Sequence, residues 1–295
     1  MMKRIMMFIL MNIAIMVLLT ITFTILENVF GIKLTGNAYL LVFAWVIWFG
    51  WSFISLALSK WMAKRAYKIQ ILNIDTVSSL DRKQKIVWNT INDLAERNHI
   101  KTPEVGIYID TEANAFATGS SKNNSLVAVS TGLLDVMDEK AIEWVVAHEM
   151  AHILNWDMVT IALLQWVLNT FVIFISRSIA NIISNFLDEE LSWIAHLAVV
   201  IVLEILFGLL ASLILMAFSR HREFRADAGS AEYVWKDKMI AWLQALKNMQ
   251  KFAKEDKSSF AAMKISSHKR WGIMSLFASH PSLDDRITAL ENSNI

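Results

Sequence analysis

The stretch WVVAHEMAHILNWDMV, Trp144 to Val159, decides how the rest of the chain is read. His148, Glu149 and His152 form an H-E-x-x-H pattern: on a helix the two histidines share one face and the glutamate sits about 100° around from His148. Two imidazoles so placed can grip one metal ion, with Glu149 over a water in the ion's open position. The surrounding helix, AIEWVVAHEMAHIL, is apolar, and unpaired polar groups on such a surface are costly. A bound metal would account for them. The chain has 0 cysteines, which excludes disulfides, thiolate catalysis and cysteine-held metals. A metal must therefore be held by histidine and carboxylate, and two histidines with one acid and an open position suit zinc.

Catalytic zinc takes a third protein ligand, and the candidates are Asp157, Glu204, His221, Glu223, Asp227 and His280. The run after the motif narrows the choice. Met158–Ser176 carries no charge, Arg177 interrupts, and Leu191–Ser219 is apolar except for His196 and Glu204. This reads as a membrane hairpin, about 158–180 and 192–218, with Asp188, Glu189 and Glu190 at its far turn. Its return delivers SRHREFRADAGSA, Ser219 to Ala231, beside the histidines. Glu223 and Asp227 are four residues apart on that helix, so Glu223 can be the ligand while Asp227 accepts the second ring N–H of a bound histidine. Taken alone, Arg220, Arg222, Glu223, Arg225 and Asp227 would also suit a salt-bridged helix end.

Upstream, Ile5–Leu26 and Ala38–Ser59 are each 22 residues without charge, long enough to cross a hydrocarbon core of about 30 Å. With 55% hydrophobic and 19% charged residues the chain is expected to be an integral membrane protein, mainly α-helical, with four spans. Lys3 and Arg4 precede the first span; Lys60, Lys64, Arg65 and Lys68 follow the second; Arg220, Arg222 and Arg225 follow the fourth. Basic residues stay inside, so both termini and the polar parts should be cytoplasmic. Residues 60–157 and 220–295 then assemble one small α+β domain, between and after the two pairs of spans. It opens on a helix capped by Asp81 with Gln84 three residues on. Val105–Asp110, Asn114–Thr118 and Leu126–Ser130 read as short strands of an antiparallel sheet, the last two joined by a polar turn, GSSKNNS. Asp138 and Glu139 start the motif helix, which should run to about Trp156, and a further helix is expected near Glu232–Lys251. Trp45, Trp48, Trp51, Trp61 and Trp156 lie near span ends, as interfacial tryptophans do.

NAFATG (Asn114–Gly119), HEMAH, SRHREFRADAGSA and SHPSLDDRI (Ser279–Ile287), in that order and with paired spans on each side, resemble the HtpX heat-shock membrane proteases, bacterial relatives of the CAAX prenyl proteases. The resemblance covers nearly the whole chain. It implies a zincin-like domain with one Zn2+ per chain, at the cytoplasmic face of the bacterial inner membrane, hydrolysing misfolded or membrane polypeptides in quality control under stress. It makes His148, His152 and Glu223 the zinc ligands, Glu149 the general base, and His280 a group that steadies the tetrahedral oxyanion. It also implies that the Asn114–Gly119 strand, beginning Asn114, Ala115, Phe116, takes an extended substrate as an added strand. The residues suit that chemistry: zinc acidifies a bound water, and Glu149 can take its proton and later hand it to the leaving amine.

Other classes fare less well. The net charge of +1 supplies no global field for nucleic acid. A channel or transporter routed past Glu204 would have most of its polar residues outside its four spans. A zinc-stabilised membrane adaptor would not need Glu149. No feature sets an oligomeric state.

Overall fold

The computed structural model describes residues 36–72, 80–184, 186, 189–255 and 280–293. The expected first span, 5–26, lies outside them. The chain divides into two compact units: Ser52–Trp166 with Gly208–Ile295, and Met1–Trp51 with Val167–Phe207.

Helix α1, Gly36–Ala66, contains the expected second span and ends on Lys64 and Arg65 in its last turn, cations at the helix's negative end. A two-residue strand β1, Gln70–Ile71, follows, then α2, Arg82–Arg97. At the start of α2 the Asp81 side chain accepts from Gln84 N–H at 2.8 Å, and the Gln84 side chain receives the Asp81 N–H, forming the capping box.

Three further strands follow: β2 (Glu104–Tyr108), β3 (Ala115–Ser121) and β4 (Asn124–Ser130). The sheet order is β1-β2-β4-β3. This corrects the expected antiparallel sheet, because β2 and β4 pair in parallel, Val105 opposite Val127 and Ile107 opposite Val129, while β3–β4 and β1–β2 are antiparallel. Strand β4 is central and buried from Ser125 to Ser130, as its unbroken LVAV run suits. The connection between β2 and β3 is fastened to the end of β4: Ser130 N–H donates to Asn114 O at 2.9 Å and Gly132 N–H to Asp110 O at 2.8 Å. That carries β3 to the outside of β4 and leaves it as an edge strand. The polar segment expected as a long turn is itself mostly strand, and Lys122–Asn123 alone makes the turn. Gly119 permits this, since its φ of +146° and the 2.3 Å that would separate an added Cβ from Asn124 O exclude other residues.

After the short helix α3, Thr131–Val136, Asp138 caps α4, Glu139–Leu154, by accepting from Ala141 N–H at 2.8 Å. Ile142, Val145, Val146, Met150 and Ile153 of α4 share one core with Val87, Ile91 and Leu94 of α2 and with Val127 and Val129 of β4. Helix α4 stops at Asn155. Trp156 then adopts φ +61°, an uncommon conformation for a bulky residue, and Asp157 already begins α5, Asp157–Ser184.

Helix α6 is continuous over Glu189–Val234, and Trp235 at φ +77° separates it from α7, Lys236–Glu255. The helix expected near 232–251 is therefore split: its first residues complete the returning helix, because nothing in the polar sequence after Ser219 breaks it. Helix α8, Leu283–Glu291, caps on Ser282 and adds Leu283, Ile287 and Leu290 to the core. Asp157–Ser184 and Trp193–Tyr233 are long and apolar enough to cross a membrane, and only 11% of each apolar window is buried. Phe171, Val202 and Leu209 are 59%, 63% and 53% exposed, the outward apolar surface that lipid, not protein, would cover.

Candidate metal centre

Helix α4 turns His148 and His152 to one side, their rings edge to face at 4.8 Å between centroids. Helix α6 brings Glu223 opposite: His148 Nε2 stands 3.5 Å from Glu223 Oε2, and His152 Nε2 stands 3.5 Å from Glu223 Oε1. The three side chains are buried, and their candidate ligand atoms lie within 4.8 Å of one another.

Each histidine's other nitrogen meets a buried carboxylate. His148 Nδ1 is 3.0 Å from Asp227 Oδ1, and His152 Nδ1 is 2.7 Å from Asp157 Oδ2. An ionised carboxylate only accepts, so each Nδ1 carries a proton; each Nε2 faces Glu223, donating to it when the ring is protonated and free to offer its lone pair to a metal when that proton leaves. Burial disfavours charge on His148, but the bonds to Asp227 and Glu223 outweigh it and push its pKa up to about 10. His152 is likewise raised against burial by Asp157 and Glu223. The pocket thus favours positive charge, whether proton or metal, and a metal would displace protons on entering.

The donor set fits zinc. Bond lengths of about 2.0–2.1 Å in a tetrahedral site place ligand atoms roughly 3.3–3.4 Å apart; here each histidine Nε2 lies 3.5 Å from a different oxygen of Glu223, and the candidate atoms lie within 4.8 Å of one another, a spread that a small closing of the side chains would bring to that spacing. Glu223 Oε1 is buried without a hydrogen-bond partner, which a cation would supply.

Helix α8 completes the base of the site. Arg286 is 2% exposed; its Nε reaches Asp227 Oδ2 at 2.6 Å and its Nη2 reaches Asp227 Oδ1, a two-pronged pair that fixes the carboxylate under His148. Arg225 ties α6 to the α4–α5 junction through Asn155 O at 3.0 Å and Asp157 Oδ1 at 3.2 Å. His280 Nδ1 lies 2.9 Å from Glu223 Oε2, so this histidine is brought to the same carboxylate. Glu149, half-buried, follows His148 on α4 and helps to raise the pKa of Tyr108, which burial raises most. Asn114, Ala115 and Phe116 open edge strand β3 against α4, with Asn114 Nδ2 donating to Tyr108 Oη at 2.9 Å.

Among the residues considered as third ligand, Asp157 instead faces the far nitrogen of His152, His221 is exposed on α6, and Glu204 belongs to the other compact unit. Arg286, although it lies within SHPSLDDRI, was given no role by the sequence reading. A signal for it was present: Leu283, Arg286, Ile287 and Leu290 form the buried stripe of α8, and an arginine in such a stripe needs a buried acid.

Two histidines one helical turn apart, both facing carboxylates and both facing an acid from a second helix, could hold a metal ion in the arrangement an H-E-x-x-H metallopeptidase requires. Comparison with known proteins agrees. Residues 81–294 match the model of Peptidase family M48, and the chain belongs to that family. It is similar to Protease HtpX of Tolumonas auensis, 46% identical over 98% of this chain and 99% of that one, and to Protease HtpX of Pasteurella multocida, 48% identical over 98% of each. Protease HtpX homolog of Bacillus subtilis is 45% identical over 98% and 99%. Among solved structures, Ste24p of S. mikatae shares the fold at a TM-score of 0.56 and 20% identity, over 93% of this chain and 67% of that one.

Proposed function

We propose that this membrane metallopeptidase is a zinc endopeptidase of the bacterial inner membrane that hydrolyses misfolded or membrane-embedded polypeptides during stress. The observation that carries the reading is the pair of carboxylate–histidine contacts, Asp227 to His148 and Asp157 to His152, which aim both Nε2 atoms at Glu223. His148, His152 and Glu223 would hold the ion. When bound, zinc supplies Lewis acidity at the scissile carbonyl and acidifies water.

The chain's own residues do the rest. Glu149 takes a proton from the attacking water, and the oxygen adds to the peptide carbonyl carbon. The same proton passes to the leaving nitrogen as the C–N bond breaks, so one water is consumed and two termini are formed. His280 stands beside Glu223 and in this reading donates to the developing oxyanion. The outer edge of β3 offers main-chain partners to an extended substrate, beginning with Asn114, Ala115 and Phe116. Four spans, with the site and both termini in the cytoplasm, agree with the basic residues that follow Ser59 and Ser219.

The test is cleavage of casein by the purified full chain in detergent, abolished by a chelator and restored by zinc. Cleavage indifferent to the chelator would refute the metal-dependent reading.

A further inference from the structure

The metal-ligating cluster is held by residues that stand where uncharged helix begins or ends. Asp157, partner of His152, is the first residue of α5, and Met158–Ser176 after it has no charge. On α6, Glu223 stands four residues beyond Ser219, the last of an uncharged run, a rise of about 6 Å. The exposed face of α6 changes character at the same place: Leu209, Leu210 and Ile214 are 53%, 50% and 51% exposed, and between Ser219 and Asp227 the exposed residues are His221 and Arg225, while Ser219, Glu223 and Asp227 on the inner face are 5%, 2% and 1% exposed. The cluster therefore lies roughly one helical turn beyond the boundary of the lipid-facing surface.

Strand β3 ends at that boundary too. Lys60, the first charge after Ala38–Ser59, donates to Asn124 Oδ1 at 2.5 Å and pairs with Glu104 at 3.0 Å, which holds the β3–β4 turn at the end of the second span. Lys122, in the turn, lies 5.5 Å from the ring centre of Trp156, the residue preceding α5. Trp156 and Trp61 are 45% and 58% exposed with Lys122 and Arg65 over their rings, the pairing of aromatic and cation that suits a headgroup layer. At its other end β3 reaches Asn114 and Tyr108, which feels the charge of Glu149. The edge of β3 that is unpaired among the described residues thus runs from the bilayer surface past the motif helix, its seven residues spanning about 23 Å.

We propose that the enzyme measures its cut from the bilayer. Its substrates are polypeptides anchored in the same membrane, whose juxtamembrane segment extends along β3 from the Lys122 end. The bond hydrolysed lies about seven residues beyond the substrate's own span. The reach follows from the length of β3 between its Lys122 end and its Asn114 end, about 23 Å, divided by about 3.3 Å per extended residue. This rests on the peptidase reading above and adds the class and geometry of its substrate.

The test uses the full-length zinc enzyme in proteoliposomes with a single-span peptide whose polar, extended tail repeats one short sequence. Tails carry three, six or nine inserted residues at the anchor, cut positions are read by mass spectrometry, and casein is the control. The expected result is cuts that stay about seven residues from the anchor whatever the insertion, and kcat/KM lower on the order of 100-fold when the anchor is removed. Cuts that follow the inserted sequence or spread over the tail, an anchored peptide left whole, or an anchor-free peptide cleaved equally well would each overturn the measuring proposal while casein is still degraded. Loss of casein cleavage as well would overturn the peptidase reading with it.

Discussion

Replacing Arg286 with methionine separates what holds the site together from what holds the metal. Arg286 and Asp227 are 2% and 1% exposed and joined by two bonds, Nε to Oδ2 at 2.6 Å and Nη2 to Oδ1. Methionine fills much of the same space but leaves Asp227 with His148 Nδ1, at 3.0 Å, as its remaining partner. Removing one member of a buried ion pair costs about 3–5 kcal/mol, because the other stays charged and unpaired. The double variant Arg286→Met, Asp227→Leu removes both charges and leaves only the His148 N–H unsatisfied, a cost of about 1–3 kcal/mol. It should therefore be about 2 kcal/mol more stable than the single variant. Zinc affinity should follow the opposite order. The single variant keeps the carboxylate behind His148 and should bind within about tenfold of the parent, while the double variant loses that carboxylate and should fall about 10–100-fold. The measurements are the thermal unfolding midpoint of metal-free protein in detergent, which excludes stabilisation by bound zinc, and zinc competition against a chelating dye. A single variant as stable as the parent, or a double variant less stable than the single, would refute the reasoning.

Glu149→Gln should keep zinc and lose about two to four powers of ten in casein cleavage, since the amide cannot accept the water's proton; full activity would remove Glu149 from the mechanism. Glu223→Ala should lose both zinc and activity, whereas Asp157→Asn, which keeps an oxygen facing His152, should cost about 10–100-fold in zinc affinity. Stoichiometric zinc in Glu223→Ala beside an empty Asp157→Asn would exchange their roles. Phe186 is 85% exposed between α5 and α6 in a cysteine-free chain, so Phe186→Cys should react with a membrane-impermeant thiol reagent in intact spheroplasts. Reaction only after lysis would place that turn in the cytoplasm and exclude two full crossings.

Local signals in the sequence settled the pieces. The Asp81–Gln84 box, the Asp138 cap and the His148–His152 spacing act within a few residues, so they could be read without tertiary knowledge. The apolar runs Ala38–Ser59, Met158–Ser176 and Leu191–Ser219 likewise act through composition, and the return of the chain at Ser219 was enough to bring Glu223 and Asp227 to the histidines. Three decisions belonged to the tertiary structure. Placing β3 outside β4, and so leaving it an edge, depends on bonds from Asn114 and Asp110 to residues 16 to 22 positions on, and strand order has no local code. Asp157 looked like one more possible ligand, because sequence cannot say which nitrogen of His152 it will meet. Arg286 lies 59 residues from Asp227, and only packing α8 beneath α6 sets a guanidinium against that carboxylate. Chain spacing reports partners within a helical turn or a hairpin. Burying a charge is decided by whichever distant element closes over it, and the fold chooses that element.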